Sequence, residues 1–532
     1  MKEKLKTSQN EHNKDKLDYF DENEENKIIN VRKKALNIKT KLEKISSVEV
    51  EGAKQVVEKF EQKLRIEWPV LFGENPKFIF VYVDLDSFYA SVEMLKNKSL
   101  HNVPLAVGGN AMICACNYKA REYKVKAGMP GYIAKNLCPT LLIIKPNMEK
   151  YNYYSEIIMG ILSKYDKNLE MYGIDEACLS FDKDSLNTAY NILSKKTDLK
   201  KKIDFENSCV LFTFENICKI VEEIRNCIFD TTGLTISAGI SVCRGLAKLS
   251  SKVNKPNGQF CLKNNFQTYL NDLDVDELNG IGKRTKELLV RTFNLKKVKE
   301  LQENIHLLYL SLKMKTFNML FRLSYGLSIF DGLRPVSYTS LSKKSINKEY
   351  SFKATNDYIE IMNNIYNISK YVSKKMQKNN YLSFLISVKI KFSDFNSFTI
   401  QRQCKVPIKT IEDIFDTVID LLTNHFSDKS IKQKLYESIC NVNTIRLIGI
   451  KVSSLIKEKN FNLIQKYTND MVICSERLCP ICNLGFFNES NFIFESHVNI
   501  CLDKQQTEKR NINRTLLKFF KSRNTEPNEK YV

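Results

Sequence analysis

The chain has 532 residues, 43% of them hydrophobic, and its 82 Lys and Arg against 61 Asp and Glu give a formal net charge of +21. This length is too great for one core and predicts three to five modules. The positive charge favours a polyanionic partner, with nucleic acid ahead of a membrane surface; a solvated lysine surface is the alternative explanation. No apolar run approaches membrane-spanning length, so we expect a soluble intracellular protein without membrane contact.

The N-terminal region divides into a polar arm and a helix. Residues 1 to 26 are charged and lack an apolar period, which is typical of disorder. Apolar residues then recur at helical spacing between Ala53 and Leu64, and the pattern stops near Trp68-Pro69. The predicted helix is amphipathic, and its apolar face could pack on the main body or on a partner.

The stretch from Phe78 to Val83 is continuously β-branched or aromatic and predicts a strand covered on both faces. Asp84 follows it, where core gives way to a helix-like segment. A single Asp at a strand end is more often a helix cap than a catalytic group, so a functional role requires a partner elsewhere in the chain.

Such a partner occurs about ninety residues later. Two short strands are predicted, Leu169 to Tyr172 and Ala177 to Phe181, with Asp175 and Glu176 in the connection between them. Neighbouring side chains on a regular strand point to opposite faces, so these two carboxylates can share a site only where the backbone turns. A hairpin tip allows that.

The regions around these strands indicate an α+β fold. Residues 105 to 142 are rich in small residues and predict a small, tightly turned subdomain, and Lys150 to Tyr165 predicts a helix. Residues 182 to 215 look like an irregular lysine-rich insertion. An amphipathic helix from Ile217 to Phe229 and a strand from Leu234 to Val242 follow.

Leu278 to Lys283 and the helical segment after it have the form of a helix-hairpin-helix. Glycines 280 and 282 would let backbone N–H groups approach a DNA phosphate, with Lys283 and the next helix N-terminus behind them. A tight helical turn without function is the alternative.

The region from Ser337 to Leu455 predicts a small sheet backed by helices, with strands at Phe384 to Phe392 and Ile445 to Val452 and a helix at Ile408 to His425. Its basic residues could line a DNA backbone, although a solvated face explains each one singly. They are Lys343, Lys344, Lys348, Lys389, Lys391, Arg402 and Lys451.

Most of the fifteen cysteines are scattered singly, but four metal-binding residues cluster near the C-terminus. Cys479 and Cys482 are followed after fourteen residues by His497, with Cys501 four residues further on. This spacing predicts a C2HC zinc site, with the first pair on a knuckle and the second on one helix face. Beyond it, a polar terminus carries an isolated apolar cluster that is typical of a docking peptide; a chance cluster is the alternative. The predicted docking residues are Asn513, Leu516, Phe519 and Phe520.

If the two strand ends meet, Asp84, Asp175 and Glu176 form a cluster that repels itself unless divalent cations sit in it. Carboxylate oxygens suit Mg²⁺, which completes its shell with waters and substrate phosphates. Two such ions can activate a hydroxyl and stabilise a leaving oxygen at phosphorus. The cations that could hold a triphosphate nearby are on Lys119, Arg121, Lys248 and Lys255.

Six motifs occur in the order seen in Y-family DNA polymerases, and the chain resembles the DinB branch of that family, within it most closely the eukaryotic kappa group. The likeness covers roughly residues 78 to 455. The motifs are residues 84–93, Asn117 to Arg121, Gly128 to Gly131, Ile174 to Ala177, Leu246 to Lys248 and Asn254 to Gly258.

The resemblance implies an α+β right-hand polymerase fold: a palm with a mixed sheet, small fingers, a helical thumb and a little finger, with an N-terminal helical extension and a C-terminal zinc finger. The expected regions are a disordered arm with N-clasp-like helices at 1–77, palm at 78–86 and 148–262, fingers at 87–147, thumb at 263–336, little finger at 337–456, and a tail at 457–532 with the zinc finger at 474–504 and the docking peptide at 513–520.

The resemblance also assigns roles. Asp84, Asp175, Glu176 and the main-chain carbonyl of Leu85 would hold two Mg²⁺ ions, and Tyr89 would be the steric gate that blocks a ribose 2′-hydroxyl. The other expected nucleotide contacts are Phe88, Tyr118, Arg121 and Lys255, and Met112 and Gly128 would roof the nascent base pair. Small roofing groups leave space for bulky template adducts, which implies error-prone translesion synthesis from dNTPs on primer-template DNA. Asp86 is expected to point away from the metals and to be structural.

The sequence departs from the family pattern at five positions. Gly173 stands where Ser is usual, Cys178 where an aromatic residue is usual, and Cys243 where Asn is usual. No metal ligand is lost, so we expect activity. Asn499 replaces a usual Asp that contacts ubiquitin in the family, and Asn513 replaces the usual Gln of a PCNA-docking motif, which weakens both expected partnerships.

The first hypothesis is therefore a nuclear, monomeric DNA-directed DNA polymerase. The second is a catalytically silent scaffold that binds DNA and ubiquitylated clamp. The carboxylate triad, with Tyr118 and Arg121, argues against a scaffold. Another branch such as eta is the third, disfavoured by Tyr89 at the gate and by the C2HC finger.

Overall fold

The computed structural model describes residues 29–195, 203–206, 209–328, 331, 344–426, 444–459, 477–482, 485–486, 495, 497–498 and 501. The chain divides into two compact units, Met1–Leu341 and Ser342–Val532. Among the described helices, none is long and apolar enough to cross a membrane.

The first unit begins with two helices, followed by a strand that enters its largest sheet. Its elements up to residue 144 are α1 (29–42), α2 (Ser47–Glu67), β1 (Ile79–Leu85), α3 (Phe88–Lys96), β2 (Leu105–Gly108), β3 (Ile113–Cys116), α4 (Tyr118–Glu122), α5 (Gly131–Leu137) and β4 (Leu142–Ile144).

The remainder of the unit returns to that sheet and ends in a helical region. Its elements are α6 (Met148–Leu162), β5 (Glu170–Met171), β6 (Glu176–Phe181), α7 (Lys183–Leu193), β7 (Phe205–Glu206), β8 (Cys209–Val210), α8 (Phe214–Thr232), β9 (Ile236–Ser241), α9 (Arg244–Ser250), β10 (Gln259–Cys261), α10 (Phe266–Asn271), α11 (Lys283–Phe293), α12 (Val298–Glu303), α13 (Ile305–Ser311) and α14 (Met314–Ser324).

The largest sheet is mixed, in the order β10-β9-β1-β6-β5, with β9 and β10 parallel and the other pairs antiparallel. Its central strand β1 is covered on both faces, as its apolar run predicts. Val81 and Val83 pack into the core formed with α6 and α8, whereas Phe80 and Tyr82 contact Ala247 of α9 on the other face. Helix α9 lies so close to β9 that a Cβ on Gly239 would be 2.0 Å from a carbonyl oxygen of α9. Glycine is therefore required there.

The prediction of an irregular insertion at 182–215 is wrong for its first part. Residues 183–193 form α7, whose N-terminus has a capping box in which Asp182 and Ser185 bond each other's backbone N–H. The buried positions Leu186, Ala189 and Leu193 recur at helical spacing. The flanking lysines obscured a pattern that the sequence contains.

A second, three-stranded sheet (β3-β2-β4) lies between α3 and α6 in the chain and has its own small core, centred on Ile113, Val125 and Leu141. It is the small, tightly turned subdomain expected for 105–142.

Helices α10 to α14 surround a core that also takes in the N-terminal helices. The ring of Phe60 on α2 packs edge-on against Phe317, with centroids 5.3 Å apart, and Tyr325 donates a hydrogen bond to Glu61 at 2.8 Å. Ala35 and Ile38 of α1 pack on Leu288. Of the two alternatives left by the sequence, the predicted amphipathic helix therefore packs on the body of the chain.

The second unit contains a four-stranded antiparallel sheet in the order β11-β14-β12-β13, with two helices on one face. Its elements are β11 (Ser345–Thr355), α15 (Tyr358–Lys378), β12 (Tyr381–Phe392), β13 (Ser397–Ile408), α16 (Ile411–Phe426) and β14 (Ile445–Lys457). The short strands β15 (Arg477–Leu478) and β16 (Gly485–Phe486) pair separately in the tail. The small sheet backed by helices is as expected; β11, β13 and α15 were not predicted.

Candidate active site

The expected carboxylates meet at one edge of the mixed sheet. Asp84 at the end of β1 lies directly opposite Glu176 at the start of β6. Asp175 precedes β6, and its carbonyl accepts a hydrogen bond from the N–H of Leu85 at 2.9 Å. Asp84 and Glu176 share the sheet face of Tyr82, because side chains alternate along a strand. The structure thus brings together the three carboxylates that the sequence separates by ninety residues.

The turn before β6 permits Asp175 and Glu176 to serve one site. Gly173 has φ +118°, a conformation that L side chains rarely adopt, and Tyr172 N–H closes the turn on the Glu176 carbonyl at 2.9 Å. Glycine in place of the family's usual Ser is therefore accompanied by a backbone conformation that Ser would adopt only with strain.

Two lysines partner two of the carboxylates. Lys255 Nζ is 2.5 Å from Asp84 Oδ1. Lys248 Nζ lies 2.9 Å from Glu176 Oε2 and donates to the Tyr82 hydroxyl, also at 2.9 Å, while that hydroxyl donates to Glu176 Oε2 at 3.0 Å. Lys248, expected among the triphosphate donors, is thus bound to Glu176.

Burial and neighbouring charges raise the pKa of two of the three carboxyl groups. Burial raises the pKa of Asp175, and the charges of Glu176 and Asp84 raise it further. Burial also raises the pKa of Asp84, more than the ammonium of Lys255 lowers it. Crowded acidic oxygens of this kind, half-buried at a strand edge, fit a hard divalent cation such as Mg²⁺.

Tyr89 lies on α3 close to the carboxylates. Its pKa is raised by burial and then by the charges of Asp175 and Cys114. Its ring stacks on that of Tyr151 with centroids 4.3 Å apart, and the Tyr151 hydroxyl donates to Glu93 at 2.7 Å. Leu85 and Phe88 are both buried beside it.

Tyr118 and Arg121 form a second group on α4. The Arg121 guanidinium stacks over the Tyr118 ring at 4.5 Å. Burial, followed by the charge of Asp86, raises the pKa of Tyr118 to about 12, and Asp84 contributes to the same shift. Tyr118 therefore faces the carboxylate edge as a neutral phenol.

Met112 and Gly128 lie together at the rim of the three-stranded sheet. Met112 is 51% exposed, and its neighbour Ile113 accepts a hydrogen bond from Gly128 N–H at 2.8 Å. A Cβ on Gly128 would meet nothing within 4 Å. The rim is open at the two positions expected to roof a base pair.

The predicted hairpin leads into a helix with an exposed N-terminus. Gly280 has φ +128°, Gly282 is the N-cap of α11, and Lys283 is exposed. The preceding arm is a three-residue 3₁₀ turn, Val275–Glu277, after α10. A cavity of about 220 Å³ is lined by Gly280, Tyr82 and Lys248. The hairpin therefore lies near the two side chains that hydrogen-bond Glu176.

The four C-terminal residues predicted to bind zinc lie close together, as their spacing predicts. The ligand atoms of Cys479, Cys482, His497 and Cys501 all lie within 4.8 Å of one another, and His497 Nε2 is 3.0 Å from Cys482 Sγ. Three thiols and an imidazole at these separations could bind zinc. Asn499 and the docking peptide, with Asn513, Leu516, Phe519 and Phe520, lie outside the described residues.

Sequence reasoning missed several residues that support the site. Tyr82 looked like a core aromatic, yet it lies two positions before Asp84 and hence on the same strand face. The stacking of Tyr151 on Tyr89 was not predicted either. The sequence could have identified Tyr82, because a residue two positions before Asp84 on a strand lies on the same face. The contacts of the other residues depend on tertiary packing.

The fold and this strand-edge carboxylate cluster define a class, the nucleotide polymerases of the Y family, and the comparisons agree. The model of the impB/mucB/samB family matches residues 83–252, and that of its C-terminal domain matches residues 343–463. A solved Y-family DNA polymerase chimera superposes with a TM-score of 0.54 at 24% identity, covering 71% of this chain and 99% of its own. The right-hand α+β fold is confirmed.

Individual relatives narrow the position within the family. The chain is 30% identical to DNA polymerase IV of Ureaplasma parvum serovar 3 over 73% of its own length and 97% of that protein. It is also 30% identical to DNA polymerase kappa of Arabidopsis thaliana, over 83% of its length but only 58% of the plant protein. The chain belongs to the Y family of DNA polymerases and is similar to its DinB and kappa members.

Proposed function

We propose that the chain is a DNA-directed DNA polymerase that performs error-prone translesion synthesis. The observation that carries the proposal is the meeting of Asp84, Asp175 and Glu176 at one sheet edge, with Lys255 and Tyr118 beside it. Relatives named DNA polymerase kappa and DNA polymerase IV support it.

In the proposed reaction the primer 3′-hydroxyl attacks the α-phosphorus of a dNTP and pyrophosphate leaves. Asp84, Asp175, Glu176 and the Leu85 carbonyl would hold two Mg²⁺ ions. Bound there, such ions lower the pKa of the attacking hydroxyl and stabilise charge on the leaving oxygen. Lys255, Tyr118 and Arg121 would hold the triphosphate, with Lys255 and Arg121 countering its negative charge.

Tyr89 is proposed as the gate against ribonucleotides, with Phe88 beneath it in the core. A ring stacked on buried Tyr151 cannot retreat easily, so a 2′-hydroxyl above it would meet fixed atoms. Met112 and Gly128 are proposed as the roof of the base pair. The open space at Gly128 supports tolerance of bulky template adducts.

DNA binding is proposed for the helix-hairpin-helix segment and for the four-stranded sheet. Gly280, Gly282 and Lys283 would contact a phosphate through backbone N–H groups and one ammonium. Lys389, Lys391 and Lys451 alternate with buried residues of β12 and β14 and so face away from α15 and α16. Lys348 and Arg402 instead contact Tyr371 and Asp420 on those helices, and we exclude them from the DNA surface.

The proposed domains keep the boundaries expected from the sequence: palm at 78–86 and 148–262, fingers at 87–147, thumb at 263–336 and little finger at 337–456. For the tail we propose a structural Zn²⁺ at 474–504, ubiquitin binding by that finger, and docking of 513–520 on the PCNA clamp. A nuclear location and a monomeric state complete the proposal. The cluster of Cys479, Cys482, His497 and Cys501 supports the zinc assignment.

The test is template-directed insertion. The purified chain, Mg²⁺ and a primed template are mixed with each dNTP singly, for each of the four template bases. Insertion should require Mg²⁺ and follow the template base in preference. A chain that binds the primed template with high affinity yet inserts no nucleotide would support the scaffold alternative and contradict the proposal.

A further inference from the structure

Asp86, in the turn directly after β1, is a buried carboxylate with several hydrogen-bond partners. It is 3% exposed. Its Oδ1 accepts from Ser237 Oγ at 2.7 Å, and its Oδ2 accepts from Thr235 Oγ1 at 2.9 Å and from the backbone N–H of Asn257 at 2.8 Å. A buried charge is costly unless hydrogen bonds satisfy it, so these contacts determine where Asp86 can sit.

One of these partners belongs to the loop that carries Lys255. Asn257 lies two residues after Lys255, whose ammonium contacts Asp84. Asn257 is also held by Arg225 on α8, which donates from Nη2 to the Asn257 carbonyl at 2.5 Å and to its side-chain oxygen at 2.8 Å. Arg225 Nε is anchored on the carbonyl of Ile236 at 3.1 Å. Asp86 and Arg225 thus hold the same residue of the loop, Asp86 through its N–H and Arg225 through its carbonyl and side-chain oxygens.

Asp86 also faces Tyr118, the second group proposed to bind the triphosphate. The Tyr118 hydroxyl lies 3.5 Å from Asp86 Oδ1, a long contact that directs the phenol toward this carboxylate. Arg121 stacks on that phenol. A single carboxylate therefore lies between the Lys255 loop and the Tyr118–Arg121 pair.

We propose that Asp86 is a positioning residue for the triphosphate site, fixing the Lys255 loop and Tyr118 relative to each other. The inference rests on the proposed polymerase function. Asp86 itself touches no substrate; it acts through Asn257 and Tyr118. Its loss should therefore weaken binding of the incoming nucleotide more than it slows the chemical step.

The experiment measures KM for a correct dNTP, kcat, and Kd for primed DNA in the full chain and in Asp86→Ala. Loss of hydrogen bonds to a charged group predicts a rise in KM of about tenfold to a hundredfold, with kcat changed less and Kd for DNA unchanged. Asp86→Asn keeps an acceptor for the Asn257 N–H, so its KM for the dNTP should lie between those of Asp86→Ala and the wild type.

Arg225→Gln keeps the inference testable if Asp86→Ala fails to fold. Arg225 is half-buried, and the substitution removes its hydrogen bonds to Asn257 while the Asp86 side chain is kept. We expect KM for the dNTP to rise several-fold, with Kd for DNA unchanged.

Asp166→Asn is the matched control. Asp166, in the connection between α6 and β5, is another buried carboxylate; it accepts from Ser180 N–H of β6 at 2.7 Å but contacts no nucleotide-binding loop among the described residues. It should lower the unfolding temperature and leave KM unchanged.

If Asp86→Asn and Arg225→Gln both keep the wild-type KM while the wild-type chain extends primers, this inference is wrong and the polymerase function stands. A wild-type chain that inserts no nucleotide would overturn both.

Discussion

The two large sheets of the chain differ in how they hold charge. In the mixed sheet the strands have at most seven residues, both faces are covered at β1, and Asp84 and Glu176 each have a particular lysine partner. In the four-stranded sheet the strands have 11 to 13 residues and the basic groups of one face lie half-buried or exposed. The first arrangement fixes individual atoms for chemistry, and the second spreads charge for binding.

This difference predicts opposite responses to mutation. Removing one group from the mixed-sheet edge should stop the reaction, because no neighbour can take its place. Removing one basic side chain from the four-stranded sheet should weaken DNA binding by a small, additive amount, since each phosphate contact contributes independently.

The largest effect should come from Glu176→Gln. The substitution keeps the size of the side chain but removes a negative oxygen that would hold a metal ion, and several kcal/mol of charge stabilisation corresponds to about a thousandfold loss in kcat. Single-nucleotide insertion at saturating Mg²⁺ measures it, with the unfolding temperature as a check on the fold. A kcat within tenfold of the wild type would remove Glu176 from the metal site.

A smaller and selective effect is expected from Tyr89→Ala. Removing the ring should admit ribonucleotides, lowering the preference for dNTP over rNTP by about ten- to a hundredfold while dNTP insertion continues. The ratio of kcat/KM values for the two substrates measures it. Strict exclusion of ribonucleotides by the variant would show that the gate lies elsewhere.

On the four-stranded sheet we combine three substitutions, Lys389→Ala, Lys391→Ala and Lys451→Ala. This triple variant should bind DNA more weakly without a change in the insertion rate at saturating DNA. The slope of log K against log salt should become less steep by about 0.9 for each phosphate that the variant no longer neutralises. Titrations at several salt concentrations measure it. The control is Lys348→Ala with Arg402→Ala, whose side chains face the helices; an equal effect of control and test would refute the assignment of the binding face.

The smallest effect on insertion should come from Cys482→Ser. The substitution removes one ligand of the C-terminal cluster, so bound zinc should fall from about one ion per chain to a small fraction, while primer extension is retained. Elemental analysis of the purified protein measures it. Cys404→Ser, a cysteine in β13 outside the cluster, should keep its zinc, and equal zinc in both variants would contradict the C2HC assignment.

Much of the chemistry was predictable because it follows from local patterns. The continuous apolar run from Phe78 to Val83 predicts a strand, and the spacing of Cys479 to Cys501 predicts the observed cluster of three cysteines and a histidine. The contact of Asp84 with Glu176 could be predicted only on the condition that the two strand ends meet, because strand register depends on packing across the sheet.

The contacts that depend on tertiary packing could not be predicted from the sequence. Asp86 looks equivalent to Asp84 in the sequence, yet its partners Ser237 and Asn257 lie over 150 residues away in the chain. Strand alternation alone could not locate it, because β1 ends at Leu85 and the backbone turns there. Helix α7 was not predicted for another reason. Its apolar residues recur at helical spacing, but the lysine-rich residues on either side suggested an irregular insertion.

The most direct test is single-turnover insertion of one correct dNTP by wild type and Asp175→Ala, at Mg²⁺ and DNA concentrations that saturate both, with Kd for DNA measured in parallel. We expect the insertion rate to fall about a thousandfold or more while Kd for DNA stays within a few-fold, because Asp175 serves the chemistry and the basic surfaces serve binding. An undiminished insertion rate in Asp175→Ala would contradict the assignment of the carboxylate cluster as the catalytic centre.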